Sequence, residues 1–72
     1  MNRKQSYELT PSERQTLRRA RQDAGYTQGD LADEVGLAAV TISNYETGRY
    51  PVGGGTLRQF EELLPGFEGL DR

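Results

Sequence analysis

The stretch that decides the fold runs from Thr27 to Gly48 and reads TQGDLADEVGLAAVTISNYETG. Its first threonine is placed to cap a short helix, with Asp30 at the capping-box position. Gly36 interrupts the helical pattern, and a second short helix is predicted over Ala38–Glu46. Two short helices joined by a glycine turn, with the small Ala32 where they pack, predict a helix-turn-helix.

Helical patterns also flank this stretch. The run Thr10–Glu13 (TPSE) is typical of a helix start, and the helix that it opens is predicted to end at Gly25. Residues 49–55 contain a proline and three consecutive glycines, so we expect no regular structure there. The run Thr56–Gln59 (TLRQ) is a further capping-box pattern, which opens a helix that ends at Pro65–Gly66. Because no segment alternates polar and apolar residues over a strand's length, the sequence predicts an all-α domain.

The chain has 72 residues, which is enough for one domain. We expect a polar N-terminal arm over residues 1–10, the helical domain over residues 11–66 and a frayed C-terminal tail over residues 67–72. A core of this size gives a monomer only marginal stability unless helix packing or dimerisation helps.

The composition excludes several classes of function. The chain has no cysteine, so it has no disulfide or thiolate metal site, and no histidine, the commonest general base and metal ligand. We therefore expect no enzyme activity, no cofactor and no metal. No apolar run follows the basic N-terminus, which argues against a signal peptide or a membrane span. The cytoplasm is the expected compartment.

The formal net charge of −2 argues against a generic polyanion binder. Residues 1–22 hold six basic and two acidic side chains, whereas residues 23–72 hold three basic and nine acidic ones. A phosphate contact outside the N-terminal third would therefore depend on neutral donors, helix N-termini and Arg49.

Three short motifs stand together in the chain: Gly-x-Thr-Gln, Leu-Ala-x-x-x-Gly and Thr-Ile-Ser-x-Tyr-Glu-x-Gly. The positions that carry them and their surroundings are Leu17, Arg21, Gly25, Tyr26, Thr27, Gln28, Leu31, Ala32, Val35, Gly36, Leu37, Thr41, Ile42, Ser43, Tyr45, Glu46 and Gly48. With this combination the chain resembles the phage repressor and Cro-like helix-turn-helix domains, the XRE family, over roughly residues 14–64. The resemblance implies a lambda-repressor-like bundle of four or five short helices that binds double-stranded DNA.

The resemblance also implies roles for individual residues. In the family the second helix of the pair lies in the major groove, which is wide enough for one helix. The positions that face base edges are Ala39, Val40, Ser43 and Asn44. The positions near the phosphates are Gln28, Thr41 and Arg49. Gln28 also matches a residue that braces the recognition helix, and Arg21 and Glu46 match a pair that forms a buried salt bridge.

Two features depart from the family pattern. Ala38 stands where a Ser or Thr cap is usual, which weakens the start of the recognition helix by about 1 kcal/mol. Ala39 and Val40 replace polar readers; they can contact thymine methyl groups but make no bidentate hydrogen bonds. Asn44 is then the best hydrogen-bonding reader, of adenine, and DNA shape is a further source of specificity.

Simpler interpretations remain open at several positions. Gln28, Ser43 and Asn44 are also consistent with ordinary exposed helix residues. A solvated face explains the basic stripe of Arg14 and Arg18 about as well as DNA contact does. A solvated face is the favoured interpretation of the acidic residues Asp30, Asp33 and Glu34, and the glycine run lacks the features of a phosphate-binding loop.

The function expected from the resemblance is transcriptional control, chiefly repression, by a protein that is nucleoid-associated when bound to DNA. A homodimer is expected on DNA because one helix reads few bases. Its surface is expected in the fourth helix and the tail, at Phe60, Leu64, Phe67 and Leu70. Two alternatives stay open: a protein-interaction module that has lost DNA binding, and an antitoxin that binds both DNA and a protein partner.

Overall fold

A computed structural model describes residues 6–67. Within them lie four helices and two very short strands: β1 (Ser6–Tyr7), α1 (Pro11–Asp23), α2 (Gln28–Val35), α3 (Ala39–Thr47), β2 (Val52–Gly53) and α4 (Gly54–Leu63). The prediction of an all-α bundle with a helix-turn-helix is confirmed. The two strands pair antiparallel, with Ser6 opposite Gly53 and Tyr7 opposite Val52.

Side-chain caps determine where α1 and α2 begin. The Thr10 hydroxyl accepts a hydrogen bond from the Glu13 backbone N–H at 3.1 Å, and the Glu13 carboxylate accepts one from the Thr10 N–H at 2.9 Å. Thr27 and Asp30 repeat this exchange at 3.0 and 3.1 Å. Two of the three predicted capping boxes, those at Thr10 and Thr27, are therefore confirmed.

The predictions for the segment before α4 are wrong in two respects. Residues 49–55 are not wholly irregular, because Val52–Gly53 forms β2 and pairs with β1. The fourth helix begins at Gly54 rather than at the Thr56–Gln59 pattern, and its N-cap, Gly53, has no side chain to form a capping hydrogen bond. The pairing partner lies at the other end of the chain, so no local pattern reveals it.

One hydrophobic core joins all four helices. Its buried members are Leu9, Leu17, Ala20, Leu31, Ala32, Ile42, Val52, Leu57, Phe60, Leu64 and Phe67. Tyr45 packs edge-on against Phe60 with ring centroids 6.1 Å apart, and Phe60 packs in the same way against Phe67 at 6.3 Å. The core therefore extends beyond the helices at both ends, to Leu9 and to Phe67.

This packing corrects the interpretation of the C-terminal residues. Phe67 is fully buried, so the tail is not frayed at its first residue. Phe60, Leu64 and Phe67 are each 0% exposed, and they cannot supply the dimer surface that we expected from them. Their apolar area is used within the protomer instead. Leu70, Met1–Gln5 and the rest of the tail lie outside the described residues.

None of the helices in residues 6–67 has the length and apolar character needed to cross a membrane.

Candidate nucleic-acid interface

The turn between α2 and α3 sets the position of α3. Gly36 is the C-cap of α2 with φ +74, and its N–H donates to the carbonyls of Ala32 and Asp33. The Leu37 N–H donates to the Ala32 carbonyl at 2.8 Å. Ala32 is 1% exposed, and its small side chain lets α3 approach α2 closely. The tight geometry of a helix-turn-helix follows from these contacts.

α3 is anchored on one side and exposed on the other. Ile42 is fully buried, whereas Val40 is 63% exposed. Ser43 and Asn44 are half-buried, and their spacing of three and four residues from Val40 puts them on the same helix face. Ala39 is exposed beside Val40. This face therefore presents methyl groups, one hydroxyl and one amide.

The polar groups on this face differ in their availability. The Thr47 hydroxyl donates to the Ser43 and Asn44 carbonyls at 3.0 and 3.3 Å, so it is engaged within its own helix. Within residues 6–67, the hydroxyl of Ser43 and the amide of Asn44 have no protein hydrogen-bond partner. This face therefore carries two free polar groups on adjacent residues.

The N-terminus of α3 has no side-chain cap. Ala38 is the N-cap, and its carbonyl accepts from the N–H groups of Thr41 and Ile42 at 2.9 and 3.4 Å. Its methyl side chain cannot accept a hydrogen bond from the first turn, as the sequence predicted. Thr41, half-buried in the same turn, is a further polar group at this end of the helix.

A hydrogen-bonded ion pair links the first three helices. The Arg21 Nε donates to Glu46 Oε2 at 2.7 Å, and their side chains are only 8% and 5% exposed. A second guanidinium nitrogen of Arg21 donates to the Tyr26 carbonyl at 2.9 Å. The Gln28 Nε2 donates to Glu46 Oε1 at 3.1 Å. One carboxylate on α3 is thus held by side chains from α1 and from α2.

This network determines which donors of Arg21 and Gln28 are already used within the protein. Arg21 is buried against a carboxylate, so it is not placed to meet a phosphate. A glutamine amide carries two N–H donors, and Gln28 uses one of them on Glu46. The other N–H of this half-buried side chain has no hydrogen-bond partner within residues 6–67.

Arg14 has a structural contact that sequence reasoning missed. Its guanidinium donates to the Leu9 carbonyl at 3.0 Å. It also lies against Gly48, where an added Cβ would be 2.7 Å from the Arg14 Cζ. The charge therefore lies at the C-terminus of α3, where the helix dipole favours a cation. In the sequence, Gly48 alone hints at a close approach to the end of α3, and it does not show that Arg14 is the residue that approaches.

Two exposed residues follow the end of α3. Arg49 and Tyr50 are both exposed, Tyr50 by 57%. The Arg49 backbone N–H donates to the Asn44 carbonyl at 2.9 Å, which holds this residue against the last turn of the helix. An exposed guanidinium and an exposed phenol thus follow the last turn of α3 in the chain.

A comparison with family models assigns the fold. A model of the helix-turn-helix domain family matches residues 14–65, and the chain therefore belongs to that family. This result is consistent with the resemblance to XRE-type domains. A search of curated proteins returns no significant match. No group of three or more metal-ligating side chains that could hold an ion occurs in residues 6–67.

Replacing Gly48 with alanine is expected to destabilise the fold more than the matched change Gly36→Ala. Both glycines end a helix at positive φ, +80 and +74, so each alanine costs about 1–2 kcal/mol in backbone strain. Only at Gly48 does the new methyl group meet another group. Displacing the Arg14 guanidinium from the Leu9 carbonyl adds about 1 kcal/mol. Urea denaturation followed by circular dichroism measures both free energies of unfolding.

An Arg14→Ala background is the control for this comparison. Without the guanidinium, the two glycine variants should be destabilised equally. If they are already equal in the wild-type background, Arg14 moves aside at no cost and does not support the end of α3.

Proposed function

We propose that this protein is a sequence-specific DNA-binding transcriptional regulator, acting as a repressor, which reads operator DNA through the major groove with α3. The observation that carries the proposal is the exposed face of α3, with Ser43 and Asn44 unpartnered in the described structure. A helix in this setting has the right width for the major groove, where each base pair presents a distinct pattern of donors, acceptors and methyl groups.

The proposal divides the contacts into two groups. Base edges would be read by Ala39, Val40, Ser43 and Asn44. The phosphates would be bound by Gln28, Thr41 and Arg49. Phosphate contacts fix register without reading sequence. Arg49 is the only cation in this second group, so the affinity should depend on salt less steeply than that of a protein with many basic contacts.

A homodimer on DNA is part of the proposal. One α3 face offers four reading positions, which is too few for a specific site. Two protomers on half-sites one helical turn apart, about 34–36 Å, double the number of bases read. The protein would then act in the cytoplasm on the nucleoid, with a palindromic operator. We propose residues 11–66 as the DNA-binding domain, and Leu9 and Phe67, just outside these bounds, pack into its core.

The first test is selection from a randomised duplex library at about 0.1 M salt, where unspecific attraction is partly screened. We expect an enriched palindromic motif. Asn44→Ala should weaken binding and relax the preference at one position per half-site, because a bidentate amide–adenine contact is worth about 1–3 kcal/mol. Gln59→Ala, an exposed amide on α4, is the matched control and should select the wild-type motif.

Two observations favour an alternative function. The apolar side chains at Ala39 and Val40, and the excess of acidic over basic side chains in residues 23–72, also suit a protein-interaction module of the same fold without DNA binding. Failure to enrich any sequence at any salt concentration would favour that alternative, in which changes at Gln28 and Asn44 have no effect on function. An antitoxin would select DNA and also bind a protein partner.

A further inference from the structure

Val40 is exposed to an unusual degree for this protein. Among residues 6–67, the exposed large hydrophobic side chains are Val40 and Tyr50, and Val40 is the more exposed of the two at 63%. Every other large aliphatic side chain in that range belongs to the core or packs against it. A single exposed apolar residue is ordinary on a protein surface, so exposure by itself assigns nothing to Val40.

The position of Val40 adds the second observation. It lies in the first turn of α3, one turn before Asn44 and three residues before Ser43. The free amide and the free hydroxyl therefore share its helix face. A side chain that carries only methyl groups lies at the N-terminal end of this face, and the hydrogen-bonding groups lie one turn further along.

The major groove offers one kind of apolar group that a valine side chain can contact favourably. Base edges there present acceptors, amino donors and the C5 methyl group of thymine, which is the only apolar group. A valine pressed against an amino group or a carbonyl would remove water from it without replacing its hydrogen bond. A valine against a methyl group buries apolar surface on both partners.

We propose that Val40 reads the C5 methyl group of a pyrimidine, so that the operator holds a thymine at a fixed step near the adenine read by Asn44. This inference rests on the proposed function and adds the chemical feature that is recognised. Cytosine methylated at C5 presents the same methyl group at the same place. Methylation of a cytosine at that step would therefore strengthen binding.

Burying one methyl group corresponds to an affinity change of about 3- to 5-fold for each half-site. In a symmetric site with both half-sites changed, the factor is about 10- to 25-fold. These factors are smaller than those for a lost bidentate hydrogen bond, and they are large enough for a titration to resolve.

The experiment uses duplexes of the selected operator in which each thymine is replaced in turn by deoxyuridine. This removes the methyl group and leaves all hydrogen-bonding groups unchanged. One thymine per half-site should show the 3- to 5-fold loss. Val40→Ala should show a smaller loss than the wild type, because its single methyl group buries less of the thymine methyl group. Asn44→Ala is the matched variant on the same face, and it should retain the discrimination.

A second pair of duplexes tests whether methylation of a cytosine at the same step strengthens binding. The thymine is replaced by cytosine or by 5-methylcytosine, each paired with guanine. The wild-type protein and Asn44→Ala should both bind the methylated duplex more tightly, and Val40→Ala should show a smaller preference. Specific binding that is unaffected by deoxyuridine at every thymine overturns this inference and leaves the proposed function intact. A selection that enriches no sequence overturns both.

Discussion

Replacing Phe67 with alanine is expected to lower the free energy of unfolding by about 3–5 kcal/mol. The side chain is fully buried, and its ring lies 6.3 Å from that of Phe60, which in turn contacts Tyr45 of α3. Removing it leaves a cavity beside Phe60 of α4. Because a core this small supplies only about 3–5 kcal/mol of net stability, much of the population should unfold. Urea denaturation followed by circular dichroism measures the loss.

Two control variants separate packing from general effects of substitution. Phe67→Leu keeps most of the buried volume and should cost less than about 1.5 kcal/mol if the site repacks. Glu62→Ala changes an exposed residue of α4 and should stay within about 0.5 kcal/mol of the wild type. If Phe67→Ala behaves like Glu62→Ala, the residue after α4 does not belong to the core.

Glu46→Ala is the second change with a large expected effect. It removes the carboxylate and leaves the Arg21 guanidinium buried without its charge partner. Breaking one side of a buried pair costs about 3–5 kcal/mol, because the remaining charge keeps its desolvation penalty. The loss should appear in the same denaturation experiment, because α3 loses its side-chain hydrogen bonds to Arg21 of α1 and Gln28 of α2.

The double variant Arg21→Met/Glu46→Met tests this explanation. Replacing both charges with apolar side chains removes the desolvation penalty together with the attraction, and such replacements are often nearly neutral. The double variant should therefore be more stable than Glu46→Ala. If it is equally or less stable, the network holds the helices through hydrogen-bond geometry that no apolar pair can replace.

The features that were predicted correctly from the sequence depend on residues that lie close together in the chain. The capping boxes at Thr10 and Thr27 involve residues three apart, and the end of α2 at Gly36 depends on the backbone conformation of one residue. The missing cap at Ala38 was visible for the same reason. In each case the hydrogen-bond partner is only a few residues away, so the pattern of residue types points to it. The Thr56–Gln59 pattern is equally local and failed, because α4 begins two residues earlier, next to the strand pairing of Val52–Gly53.

In the candidate site, too, local features could be predicted from the sequence and contacts between distant residues could not. The residues on the exposed face of α3 follow from helical spacing once the buried position of Ile42 is known. The pairing of Arg21 with Glu46 was expected only through the family resemblance. The hydrogen bond from Gln28 to Glu46 and the contact of Arg14 with Gly48 were not predicted. These contacts join residues 18 or more positions apart in the chain.

The sequence by itself determined the existence of the four helices, the N-terminal caps of α1 and α2, and the glycine turn between α2 and α3. Only the tertiary structure decided that the segment before α1 pairs with β2, that Phe67 completes the core, and that three helices share one carboxylate. The physical reason is that a cap or a helical stripe is stabilised within a few residues of chain. A strand of two residues, a buried tail residue or a buried ion pair is stabilised only by partners that folding brings together.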